Sequence, residues 1–76
     1  MHIFLWNDEN VEHLAQHGIE PDDFAEAFEN GEEVEDPRGK HTARIGYDRS
    51  GRLLYGAYES VDGIEIIPVT AFEIDE

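Results

Sequence analysis

The sequence predicts an α+β domain: β-α-α followed by an antiparallel β-meander, with both helices packed on one face of the sheet. Three observations carry this. The apolar residues recur at helical spacing between residues 8 and 30 and at strand spacing from residue 42 onward. Gly18 and Gly31 sit where helices of about ten residues would stop. Two glycine-containing turns, Arg49-Ser50-Gly51 and Val61-Asp62-Gly63, separate the later apolar runs at hairpin distance. At 76 residues the chain forms one small domain, residues 1–76, with room for a single thin core.

Residues 2–6 open with a β-type run, Ile3, Phe4, Leu5 and Trp6, ended by polar Asn7 and Asp8, either of which can cap a helix. Val11, Leu14 and Ala15 then share one helical face, and Gly18 is placed for a left-handed stop with Ile19 folding back. Pro21 reads as the first residue of a second helix, with Asp22 and Asp23 at the positive end of its dipole. Phe24, Ala27 and Phe28 form its apolar stripe. Residues 32–36 are a weak acidic strand around Val34, and residues 37–41 a loop. Residues 42–48, 52–60 and 64–74 read as three strands. Pro68 interrupts the last and marks it as an edge or a bulge. The expected core is Leu14, Phe24, Phe28, Ile45, Leu53 and Tyr55.

Nineteen Asp and Glu against five Lys and Arg give a net charge of −14. Such a chain repels phosphate backbones at long range, which disfavours general nucleic-acid binding. Only one basic residue is Lys, and an acid-rich, Lys-poor surface suits a high-salt host. With no cysteine, a disulfide framework, a thiolate zinc site and a Cys nucleophile are all excluded. The opening residues lack a basic n-region, no apolar run reaches 18 residues, and a soluble cytoplasmic protein is expected. His13 and His17 share a helix face, but spacing fixes no third ligand, so neither metal nor cofactor is expected.

The charge is unevenly placed. Residues 1–36 sum to −12 and residues 53–76 to −6, while residues 37–52 sum to +4 and hold every Lys and Arg. A three-residue hairpin loop pairing Asp48 with Arg52 puts Arg44, Asp48, Arg52, Leu54 and Tyr58 on one sheet face. Ala43, Ile45, Tyr47, Leu53, Tyr55 and Ala57 take the other, which suits packing against the helices. A two-residue turn at Ser50-Gly51 would instead send Arg44 and Arg52 to opposite faces. On an open face beside Gly46 and Gly56, the two arginines could grip a phosphate or carboxylate. Equally, they could pair with Asp48 or neutralise the acidic helices.

Phe4 to Trp6 before an acidic helix, then His17, Gly18 and Ile19, then an acidic helix holding Phe24 and Phe28, form a familiar succession. Arg44, Ile45, Gly46 and Tyr47, then Gly51, Arg52, Leu53 and Leu54, then Ile64, Glu65, Ile66 and Ile67, continue it. In order and spacing the chain resembles the BrnT-type toxins of bacterial toxin–antitoxin pairs over nearly its whole length. The resemblance implies a RelE-like fold and a ribonuclease, or a degenerate relative of one, held inactive by an antitoxin and cleaving RNA without metal. That family works through arginines and a glutamate on the meander sheet. Its arginine after the hairpin glycine falls on Arg52, its glutamate on Ser60 with Glu59 one step away, and its second arginine on Thr70. Its basic C-terminal helix falls on residues 72–76, which are acidic here.

For 2′-hydroxyl attack, Arg52 and Arg44 would stabilise the phosphate, and Tyr58, Glu59 or His41 would move protons. The expected partner is an antitoxin with a basic surface, and RNA is disfavoured by the net charge. The alternative function is a non-catalytic acidic module that binds a basic protein, as a halophile-type small protein could.

Overall fold

The computed structural model describes residues 2–36, 39 and 41–74. Strand β1 (Ile3–Phe4) leads into helix α1 (Asp8–Ala15) and helix α2 (Pro21–Asn30). Strands β2 (Glu32–Glu35), β3 (Thr42–Tyr47), β4 (Leu53–Glu59) and β5 (Glu65–Glu73) follow. The sheet order is β1-β5-β4-β3-β2. The meander is antiparallel, but β1 adds to β5 in parallel, so the five-stranded sheet is mixed. The α+β class and the element order agree with the sequence reading.

The helices begin and end through local chemistry. The Asn7 side chain accepts from the Asn10 N–H at 2.8 Å, and the Asn10 side chain accepts from the Asn7 N–H at 2.9 Å, a reciprocal cap. At the other end Gly18 has φ +72, its N–H donates to the Ala15 carbonyl, and the Ile19 N–H donates to the Leu14 carbonyl. These two bonds form a Schellman stop, and Ile19 is buried as the fold-back requires. In α2, Pro21 occupies the first turn and the Asp23 carboxylate accepts the Glu20 N–H at 3.2 Å.

Two asparagines fasten helices to strands. The Asn30 side chain donates to the Tyr47 carbonyl at 2.9 Å and accepts from the Tyr47 N–H at 3.2 Å, at the end of β3 that β2 does not reach. Buried Asn10 donates to the carbonyls of Leu5 and Pro68. Pro68 lies in an interior strand, and its missing N–H is accommodated by a bulge: Ala57 pairs with Thr70 and Tyr58 with Pro68, leaving Val69 as the extra residue.

The β3–β4 register is the expected one. Arg44 faces Gly56, Gly46 faces Leu54, and the Asp48 N–H donates to the Arg52 carbonyl. Gly51, at φ +87, closes the three-residue loop. The sets of co-facing residues are therefore correct, but the choice of covered face is reversed. The helices lie on the face of Arg44, Gly46, Leu54, Gly56 and Tyr58, where the core is Leu14, Ile19, Phe24, Ala27, Phe28, Leu54, Tyr58, Ile66 and Ala71. Ile45, Leu53 and Tyr55, expected in this core, are half-buried on the opposite face. The glycines explain the reversal. A Cβ on Gly46 would stand 2.1 Å from the Ala27 carbonyl oxygen, and one on Gly56 would stand 2.8 Å from the Phe24 ring. Close approach of α2 demands these two glycines, and they share the arginine face.

Candidate functional site

The sequence offers Arg52, Arg44, Tyr58 and Glu59 as the reacting set, and the structure places three of these four under the helices. Arg52 extends from the hairpin, where its Nε donates to Asp48 Oδ2 at 2.7 Å. Its Nη1 donates to the Gly18 carbonyl at 3.2 Å, and its Nη2 reaches Asp23 Oδ2 at 3.4 Å. One guanidinium thus joins the hairpin, the end of α1 and the first turn of α2. Cations suit the first of these helix ends, and the Asp23 carboxylate mediates at the second.

Asp48 is the centre of this arrangement, with a side chain 0% exposed. Burial pushes its carboxyl up, but hydrogen bonds from the backbone and side chain of Arg52 and from Ser50 outweigh this and hold it at about 2. Its Oδ1 accepts the N–H groups of Ser50 and Arg52 and the Ser50 hydroxyl, each at 2.9 Å. The folded carboxyl lies below its ordinary 3.8, so the stabilisation is fully present above pH 4 and is lost as pH falls from about 4 to 2. A melting-temperature series should show an inflection in that window that Asp48→Asn lacks. Parallel curves for the two proteins would refute the assignment. Arg52→Ala strands this buried carboxylate and should cost about 2–3 kcal/mol in a urea melt. A loss of only a few tenths would mark Arg52 as an ordinary exposed strand residue.

Arg44 is committed elsewhere. Its Nη1 donates to the Phe28 carbonyl at 3.0 Å, in the last turn of α2, and its guanidinium carbon lies 4.1 Å from the centre of the Phe28 ring. Since α2 has no basic residue in its own last turn, β3 supplies the cation that this dipole end favours. The space beside it, lined by Phe24, Ala27, Phe28, Leu54 and Gly56, holds about 10 Å³, room for about one water and not a nucleotide. Tyr58 is only 5% exposed, packs edge-on against Phe28 at 4.8 Å, and its hydroxyl lies 3.5 Å from Glu33. Glu59 points to the face away from the helices, with its carboxylate 3.4 Å from His41. The structure thus brings Arg52 to Asp48 and Asp23, and Arg44 and Tyr58 to Phe28, but separates Glu59 from all three by the thickness of the sheet.

Arg49 completes the pattern, lying 3.3 Å from Asp23 and 3.9 Å from Glu20 and Asp22. All three described arginines therefore meet carboxylates or carbonyls of the helices and the hairpin. Asp23 is buried between Arg49 and Arg52, so the sequence alternative in which the arginines neutralise the acidic helices is the arrangement seen. Its place in the first helical turn, near a strand rich in Arg, was the available signal. Among the described residues no cluster of three or more His, Cys, Asp or Glu could hold a metal ion, and the His13 and His17 rings stand 6.0 Å apart. None of the described helices is long and apolar enough to cross a membrane.

The face away from the helices has a different character. Its cross-strand rows are Tyr47 and Leu53; Glu32, Ile45, Tyr55 and Phe72; Val34, Ala43, Ala57 and Thr70; and Glu59 with Ile67. Ile3 and Glu65 extend it at the β1 edge. Tyr55 and Phe72 stack with ring centres 5.0 Å apart, and Ile3, Leu5, Tyr47, Ile67 and Phe72 are exposed. This chain matches no protein-family model, no characterised protein and no solved structure.

Proposed function

We propose that the chain is a non-catalytic acidic interaction module that binds a basic protein partner. The observation that carries this is the internal commitment of the arginines. Arg44, Arg49 and Arg52 neutralise helix ends and buried carboxylates, which leaves the net charge of −14 to face the surroundings. An acidic body of this size attracts cationic partners and repels polyanions.

A toxin-like place in a toxin–antitoxin pair, on a RelE-like arrangement, shares the basic partner with this reading and differs in the chemistry. For that chemistry Arg52, Arg44 and Tyr58 would have to leave their present contacts to reach a phosphate. The two are separated by expressing the chain with and without its neighbouring gene and following growth, RNA integrity and copurifying protein. The module reading expects normal growth, intact RNA and a stoichiometric partner of net positive charge. Metal-independent RNA cleavage by the purified chain would replace it with the ribonuclease reading.

A further inference from the structure

Helix α2 ends on Asn30 followed by Gly31. An asparagine before a glycine is open to attack by its own backbone, because no Cβ on the next residue shields the amide nitrogen. The fold imposes both halves of this labile pair. A Cβ on residue 31 would stand 2.5 Å from the Ala27 carbonyl oxygen and 2.7 Å from that of Ile45, so only glycine fits where α2 meets β3. The Asn30 carboxamide serves the Tyr47 backbone in both directions, as donor at 2.9 Å and as acceptor at 3.2 Å, which needs an N–H and an oxygen side by side. Asn30 is also exposed, so solvent reaches it.

We propose that Asn30–Gly31 is a spontaneous deamidation site gated by the docking of α2 on β3. Ring closure requires the Gly31 nitrogen and Asn30 Cγ in attacking contact. In the docked helix both groups are engaged elsewhere: the Gly31 N–H donates to the Phe28 carbonyl at 3.2 Å, and the carboxamide is held by Tyr47. When the last turn lifts, the Gly31 nitrogen loses its proton to solvent and bonds to Asn30 Cγ. The bond from Cγ to Nδ2 breaks, and ammonia leaves with a proton taken from solvent. Water then opens the cyclic imide at either carbonyl, giving Asp or its β-linked isomer with no oxidation or reduction. The product docks poorly. Its carboxylate has no N–H for the Tyr47 carbonyl, and it adds a negative charge beside Glu29 at the negative end of the α2 dipole, where the helix has no basic residue of its own. Arg44, bonded to the Phe28 carbonyl, offsets that charge only in part. The reaction therefore marks molecules whose α2 end has opened and keeps it loosened.

The test follows the mass gain of deamidation, located by peptide mapping, in the folded chain and in a synthetic peptide of residues 27–33 in the same mildly alkaline buffer. The folded chain should react at residue 30 at least about tenfold more slowly than the peptide. Arg44→Met removes the second bond to the Phe28 carbonyl and leaves residues 30, 31 and 47 unchanged. Held below the onset of its own melt, it should deamidate several-fold faster than the wild type. Asn30→Asp, which supplies the product directly, should lower the melting temperature by about 5–10 °C and speed amide exchange at Tyr47 and Gly31. Equal rates in the folded chain and the peptide, or an Arg44→Met rate equal to the wild type, would overturn the gate. An Asn30→Asp protein with wild-type melting and exchange would overturn the loss of docking.

Discussion

Gly46→Ala should bring the protein to the edge of unfolding. The added Cβ would lie 2.1 Å from the Ala27 carbonyl oxygen, 2.7 Å from Gly31 Cα and 3.0 Å from Gly31 N. All three are backbone atoms and cannot rotate aside, so the end of α2 must lift from β3. That movement strains the paired bonds between Asn30 and Tyr47 and the bond from Arg44 to the Phe28 carbonyl. The cost should be about 3 kcal/mol or more, at the upper end for overpacking. A domain of this length has on the order of 4–11 kcal/mol in total. The sign is what makes the experiment decisive. Without a helix on this face, Ala would favour the strand over Gly by about 0.5–1 kcal/mol. A urea melt showing equal or raised stability would mean that α2 does not lie on β3 at Gly31 and Gly46. Gly56→Ala should cost less, because its nearest neighbour is the edge of the Phe24 ring, which can shift.

Phe28→Ala should cost about 3–5 kcal/mol, the range for a fully buried aromatic. The ring lies edge-on to His2 at 4.8 Å, to Phe4 at 5.3 Å and to Tyr58 at 4.8 Å, and is near-parallel to Phe24 at 6.2 Å. It also supports the Arg44 guanidinium, so truncation removes packing on one side and a cation–π contact on the other. Phe28→Leu separates the two, since it keeps most of the apolar volume and loses the ring face. Its cost should stay near 1–1.5 kcal/mol. A loss under about 1 kcal/mol for the Ala variant would show that the stripe of Phe24, Ala27 and Phe28 is not the core of the domain.

What could be read from the sequence followed from local chemistry. Gly18 with Ile19 after it, Pro21, and the loop from Asp48 to Arg52 each fix their own conformation, and the structure repeats them. The hairpin then carries the register along β3 and β4 to Thr42 and Tyr58. Choosing the covered face is a different problem, because it depends on what the sheet packs against. Counting apolar residues favoured the face of Ile45, Leu53 and Tyr55. The physical requirement was room for a helix backbone and cations for its acidic ends, which Gly46, Gly56, Arg44 and Arg52 supply together. The same glycines that allowed an open phosphate site in the sequence are filled by Ala27, Gly31 and Phe24. The β1–β5 pairing left no local mark, since it joins two residues to a strand some sixty positions away.

That distant pairing bears on the order in which the fold assembles. Ile3 pairs with Glu65 and Phe4 with Ile66, through bonds of 2.8 Å from Ile3 N–H to the Ile64 carbonyl and from Leu5 N–H to the Ile66 carbonyl. Closing so long a loop costs roughly 2 kcal/mol more in chain entropy than closing the Asp48–Arg52 hairpin, and a two-residue strand returns little for it. The β3–β4–β5 meander, built from neighbours in sequence, can form first and offer β5 as a template. Phe4 and Trp6, which pack on the core from the β1 side, can settle only after that edge is in place. During synthesis residues 3–6 must wait until β5 has been made. Throughout that interval the apolar surface destined for Phe4 and Trp6 is exposed, and amides at this edge should exchange with solvent well before those of the meander.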